Sequence, residues 1–480
     1  MRHLPGMRRR TCCASCWWIS ALVFCACILV CLWTVPVKAD PSLPTFGSTI
    51  YNVIVANASI NGGAPASTAS SDNATALNAY ITYCSIHGGG TVEIPAGTFL
   101  SGTLTMKSNV NLQIDSGGIL RDTSINNTLI TCSSGSNMQI SGGGIIDGAA
   151  TKTVGTANLV SLRGVTTLAI LNVSIQNAGH EHLTPVNDTN VTISNVTISD
   201  PGTLAANSGK YLANTDAIDY SGSNFLIKNC NISCGDDDIV AKPASNACNN
   251  ITITDCTIGA GHGISVGGGS AKGVTNLVVT NCTMNGTDNG LRLKAADVPI
   301  SDQDAGGGLA HPVQNVTFSH ITMTNVANPI VIDSFYDNGS NNFPTSPTST
   351  ASYPATPTAV DDTTPMWENI SFSNITATGS SNGGLIYGLN TSPNNLDGLT
   401  FDDVNITANS HMNLWYAADV DLDGLSVNVP KSDAFANASP VPGVSLFAVS
   451  TVPEPASYLL MLLGGASVLV WIAGSKLRGL

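Results

Sequence analysis

A six-residue pattern recurs along the chain. Ile170-Leu171-Asn172-Val173-Ser174-Ile175 returns as Ile193-Ser194-Asn195-Val196-Thr197-Ile198, as Ile227-Lys228-Asn229-Cys230-Asn231-Ile232 and as Ile253-Thr254-Asp255-Cys256-Thr257-Ile258. Further copies centre on Cys282, Ile321, Ile375 and Val404. The first, fourth and sixth positions are apolar, and the third is Asn, Asp or His. The fourth position advances by 23, 34, 26, 26, 39, 54 and 29 residues. A short strand-like unit returning at such intervals predicts a solenoid, because one strand cannot bury its apolar side alone and stacked strands bury a continuous core. Stacking in parallel sets like residues above like. The fourth residue is then predicted to point inward, and the third to form a side-chain ladder at a bend. Cys230, Cys256 and Cys282, 26 residues apart, read as small buried apolar residues rather than disulfides or metal ligands.

Before the repeats, Tyr51 to Val55 reads as a strand. A helix is predicted over Ala74 to Tyr83, with Leu77, Ile81 and Cys84 on one stripe, Ser71 or Asp72 as its cap and Gly88-Gly89-Gly90 at its end. Thr91 to Pro95 starts the ladder. The longest step contains 337–366, rich in Asn, Ser, Thr and Pro, and reads as a surface insertion.

Composition agrees with strands and turns: charged residues are 10 % and glycines number 47. The net charge of −14 argues against a nucleic-acid partner. Residues 1–39 have a basic start, a long apolar run and Val37-Lys38-Ala39, which predicts a cleaved export leader. Six of the 13 cysteines lie there, so seven remain and no full disulfide framework is implied. The repeat domain spans 40–429 and a linker 430–451. Val452-Pro453-Glu454-Pro455-Ala456, an apolar run and Lys476 and Arg478 follow. This tail, 452–480, resembles the PEP-CTERM sorting segment. That resemblance implies transient anchoring in the inner membrane of a Gram-negative-type bacterium. It also implies processing by exosortase-type machinery and a final place at the cell surface or outside.

Four polar clusters stand out: Asn214-Thr215-Asp216, Gly235-Asp236-Asp237, Gly261-His262-Gly263 and Arg292-Leu293-Lys294. Asp216 to Asp236 is 20 residues, Asp236 to His262 is 26 and His262 to Arg292 is 30, so each falls about one coil after the last. Crowded carboxylates repel and raise at least one pKa. One protonated acid beside one ionised acid suits glycosidic-bond hydrolysis, while a calcium site or a solvated turn would also use such acids. Asp236 and Asp237 can share a cleft only if the backbone turns, as Gly235 permits. Arg292 and Lys294 face one side of a strand. Their anion is either the local acids or a carboxylate on the substrate.

In this order the motifs resemble glycoside hydrolase family 28, the polygalacturonases. His180-Glu181-His182-Leu183, Asn190-Val191-Thr192-Ile193, Asp333-Ser334-Phe335-Tyr336 and Gly88-Gly89-Gly90-Thr91-Val92 extend the likeness over about 50–410. The resemblance implies an all-β, single-stranded right-handed parallel β-helix that hydrolyses α-1,4-galacturonosidic bonds of pectin or polygalacturonate with inversion. It implies Asp236 as general acid, Asp216 and Asp237 as the pair activating water, and His262 as support for the acid's protonation. Arg292, Lys294 and Tyr336 would bind substrate, with Asn214 a lesser cleft residue. No metal or organic cofactor is implied, and a monomer suffices. Asp238 departs from the family, which commonly has a small residue or Cys there. The alternatives are a rhamnogalacturonan hydrolase, a calcium-dependent lyase and a non-catalytic surface β-helix that binds polysaccharide.

Overall fold

The computed structural model describes residues 39–437, except 61–62, 152, 201–211, 244–245, 268–271, 296–311, 335, 337–357, 361–363, 418–419 and 430–434. The leader, the linker, the sorting-like tail and most of the 337–366 insertion therefore lie outside the described residues. Among the described residues, no helix is long and apolar enough to cross a membrane.

From residue 41 onward the described strands, except the separate pair Thr358–Ala359 and Thr391–Ser392, join one parallel sheet wound on itself as a right-handed parallel β-helix. Three strands per coil form three faces. One face stacks Gly135–Ser141, Val165–Leu171, Asp188–Ser194, Gly222–Lys228, Cys248–Thr254 and Val274–Thr280. A second stacks Ser174–Gln176, Thr197–Ser199, Asn231–Ser233 and Thr257–Ile258. The third runs through Leu183–Val186, Ile218–Tyr220, Ile239–Ala241, Ile264–Gly267, Asn289–Lys294 and Asn328–Asp333. This third face carries the polar clusters. In the last coils Trp367–Tyr387 and Leu396–Trp415 pass through successive faces as single long strands.

The hexapeptide repeat spans the bend between the first two faces. Its fourth residues, Val173, Val196, Cys230, Cys256, Cys282, Ile321, Ile375 and Val404, are all buried. All seven cysteines of the described residues are free and buried, including Cys230, Cys256 and Cys282, for which the repeat predicted it. The third residues do something other than the expected ladder. Asn172, Asn195, Asn229, Asp255, Asn281, His320, Asn374 and Asp403 all have φ between 51° and 58°. They turn the chain through the left-handed region, which Asn and Asp tolerate better than most side chains. Among these third residues, Asn195 Nδ2 donates to Asn172 Oδ1 at 3.1 Å. The longer asparagine ladder lies within the first face, where Asn250 donates to Asn224 at 2.7 Å and Asn224 to Asn190 at 2.9 Å.

The helix runs Ala74–Ile86, one turn beyond the predicted end. Leu77, Tyr80, Ile81 and Cys84 are buried against the first strands. Its N-cap is Asn73, whose side chain makes no capping bond and instead ties Ser67 and Leu100 together. Asp72 Oδ1 accepts from the Ala74 and Gly102 N–H groups. The first strand is Ile50–Asn52 rather than Tyr51 to Val55, because the chain turns at Val53.

Candidate active site

The acids are delivered by loops that enter the third face. Cys234 to Asp238 form a turn between Asn231–Ser233 and Ile239–Ala241. A side chain at Gly235 would collide with the Leu212 carbonyl, so only glycine lets this turn pack on the coil before it. The turn breaks strand alternation, and Asp236 and Asp237 both reach the cleft. The Gly261-His262-Gly263 loop lies on the next coil. Gly263, at φ +75°, passes against the carbonyls of Asn289 and Gly290, where a Cβ would not fit.

Each predicted residue can be placed. Asp236, with a side chain 23 % exposed, accepts from His262 Nδ1 at 2.9 Å. The His262 N–H donates to the Asp236 carbonyl at 2.7 Å. Asp237 is buried and accepts from Arg292 Nη2, from Lys294 Nζ at 2.8 Å and from Ser265 Oγ at 2.8 Å. Ser265 also accepts from Arg292 Nε at 3.2 Å. Lys294 Nζ lies 4.8 Å from the centre of the Tyr336 ring. Asp216 is buried one coil earlier. Asn214 is exposed, with φ 57°, and its backbone N–H lies 3.4 Å from Asp236 Oδ2. The spacing argument thus brings the four clusters together on consecutive coils.

The electrostatics depart from one expectation. The sequence predicts a raised acid in the cluster, and the resemblance makes Asp236 that acid. Burial does push Asp236 up, but the His262 hydrogen bond and nearby positive charge outweigh it and leave its carboxyl below the usual range. Burial also opposes ionisation of Asp237, yet Arg292 and Lys294 hold it ionised far below that range. The raised acid is Asp216, pushed to about 6 by burial, which Lys242 partly offsets, and by Asp237 and Asp236. Burial likewise raises Asp219 to about 8. Of the two anions open to Arg292 and Lys294, the resting structure uses a local one, Asp237, and both cations are nearly buried at 5 % and 4 % exposure. Arg292 carries five N–H donors and Lys294 three, of which the bonds to Ser265 and Asp237 use two and one.

Several further contributors have no role assigned from the sequence. Lys242 Nζ donates to Asp216 Oδ2 at 2.6 Å and to Asp219 Oδ2 at 2.8 Å. His182 and Asp200, both fully buried, pair at 2.8 Å, and His182 Nδ1 lies 3.2 Å from the Asp216 carbonyl. Asp238 is buried beneath the histidine loop, where its Oδ2 accepts the Gly263 N–H at 2.8 Å and Cys234 Sγ lies 3.6 Å from its Oδ1. Burial pushes its carboxyl well up. The rarity of cations in this chain is the one sequence signal that marks Lys242. Atoms of Asp236, Asp237 and His262 come within 4.8 Å of one another, but Arg292 and Lys294 already balance the negative charge there.

Known proteins similar to this chain include polygalacturonases. The endo-polygalacturonase of Pectobacterium carotovorum subsp. carotovorum is 30 % identical over 298 residues, 52 % of this chain and 69 % of that protein. The solved polygalacturonase from Erwinia carotovora ssp. carotovora matches with a TM-score of 0.59 and 25 % identity, over 82 % of this chain and 99 % of that one. The exopolygalacturonase from Thermotoga maritima shares the fold, with a TM-score of 0.58 at 19 % identity over 78 % of this chain and 90 % of its own. The family model described as glycosyl hydrolases family 28 matches residues 84–420, a stretch that holds every residue of the cleft. The chain belongs to glycosyl hydrolases family 28.

Proposed function

We propose that this protein hydrolyses α-1,4-galacturonosidic bonds of polygalacturonate, inverting the anomeric centre. The observation that carries the reading is the meeting of Asp216, Asp236 and Asp237 with Arg292 and Lys294 on consecutive coils of one face. Asp236 is the general acid. It is the most exposed of the three, and His262 shares a 2.9 Å hydrogen bond with it. In the open cleft that bond favours charge on Asp236. A bound sugar excludes water and makes the charged pair costlier than the neutral one, which moves the shared proton onto Asp236 for delivery to the leaving oxygen. Asp216 and Asp237 activate the water. The remaining donors of Arg292 and Lys294, with the Tyr336 ring, take the galacturonate carboxylate. Asn214 lies at the rim.

Product analysis on de-esterified polygalacturonate, with chelator present, tests this. Saturated products with new reducing ends are expected. Unsaturated products would sink the acid role of Asp236 and indicate β-elimination. With D236N, turnover should fall by about 10²–10⁴-fold while polygalacturonate binding persists. Retained turnover would exclude Asp236 as the acid.

The leader and the Pro453-Glu454-Pro455 tail support export with exosortase-type processing and a cell-surface or extracellular destination. Mass spectrometry of the protein from its native envelope should find a start near Asp40 and loss of the apolar tail. An intact 480-residue chain would overturn this.

A further inference from the structure

A base that activates water must be ionised when substrate is bound. Asp216 is poorly placed for that on its own. It is buried, Asp236 and Asp237 crowd it from the following coil, and Asp219 and Glu181 bring further carboxylate oxygens within 4.8 Å of it and of each other. Its backbone carbonyl meets the N–H and Nδ1 of His182, and buried Cys234 lies nearby. Among these groups the ammonium of Lys242 alone donates to the carboxylate itself, at 2.6 Å, and it spans to Asp219 at 2.8 Å.

The fold delivers this lysine. Asp219 pairs in register with Val240, and the Lys242 N–H donates to the Tyr220 carbonyl at 2.9 Å. The lysine thus leaves the end of one strand directly beside the strand that follows Asp216. Its side chain is 27 % exposed, less than a freely solvated lysine, and both its carboxylate partners are buried.

We propose that Lys242 is the positioning residue of the cleft's base: held between Asp216 and Asp219, it keeps Asp216 ionised and aims its free oxygen at the water. This rests on the hydrolytic reading above. It divides the labour of the acid pair. Asp237, fixed by Arg292, Lys294 and Ser265, is a weak base that orients and balances charge. Asp216 is the stronger base, and Lys242 sets the pH at which it works. Burial raises the Asp219 carboxyl as well, against the same lysine.

The test uses the full-length protein. kcat and KM for polygalacturonate are measured across the acid range for wild type, K242Q and K242R. Loss of the charge raises the Asp216 pKa, so the acid limb of kcat in K242Q should move up by about one unit or more, while K242R keeps the wild-type limb. An unmoved kcat limb with a raised KM would overturn the proposal and make Lys242 a substrate contact. An equal loss at every pH would also overturn it. Should K242Q fail to fold, K242M removes the same charge on a similar stem: a limb raised by about a unit supports the proposal, and an unmoved limb refutes it. Melting curves separate this from the substrate question. Because the folded carboxyl lies above its unfolded value, K242Q should lose more melting temperature between pH 5 and pH 8 than wild type does. Parallel losses refute the proposal even if wild type leaves polygalacturonate intact, an outcome that would sink the substrate reading instead.

Discussion

Asp237 joins more of the site than any other residue. It takes Arg292, Lys294 and Ser265 on its two oxygens in a buried place. Its removal in D237A would leave two nearly buried cations unpaired. Such a loss costs about 3–5 kcal/mol, so a large fall in melting temperature is expected along with loss of turnover. A variant as stable as wild type would show that the two cations find other partners. Asp238 predicts the opposite. Burial raises its carboxyl, which accepts from the Gly263 N–H and the Cys234 thiol, so D238N should preserve both stability and the pH profile. A pH profile displaced by D238N would mean that Asp238 carries charge.

At the scale of elements, the bends carry as much of the fold as the strands. A column of Asn, Asp and His residues turns the chain in the left-handed region once per coil. Alanine there meets a steric cost of about 1–2 kcal/mol, whereas glycine does not. Asn229→Ala should therefore destabilise by about 1 kcal/mol and Asn229→Gly by less, as chemical denaturation can measure. Equal effects would argue that the side chain's hydrogen bonds matter more than its backbone. Inside the coil, Phe318, Phe372 and Phe401 stack with ring centres 5.1 Å apart, close to the strand spacing. Phe372→Ala removes the middle ring and should cost about 3–5 kcal/mol.

For the solenoid unit as a whole, acidity governs stability in two directions. Burial raises Asp122 and Asp216 to about 6, and Asp188 and Asp219 to about 8. These groups keep protons in the folded state that the unfolded chain has released. Their contribution is fully present below about pH 4 and is lost as pH rises through 6 and then 8. Asp236 and Asp237 lie below their unfolded values, so their contribution is present above about pH 4 and lost as pH falls further. The melting temperature should peak on the acid side and decline between pH 5 and pH 8. A flat or rising curve there would contradict the burial of the four raised carboxyls.

The sequence by itself determined the solenoid and the face on which the site lies. Strand periodicity and coil-length spacing are local properties, and residues about one coil apart must stack when each strand hydrogen-bonds to the next. It also determined that Val173, Cys230 and their equivalents turn inward, because an apolar side chain at a fixed point of the repeat has one buried direction. Only the tertiary structure decided what surrounds each acid. Whether Asp216 or Asp236 holds a proton depends on which charges and how much water lie within a few ångströms, and those neighbours come from other coils. The pairing of Lys242 was hidden for this reason, since its partner Asp219 lies 23 residues away and meets it through strand register. The His182–Asp200 pair, 18 residues apart, was hidden in the same way. The third-position residues show the boundary: their recurrence was legible, but their use as left-handed corners was a matter of backbone angle that only the folded coil reveals.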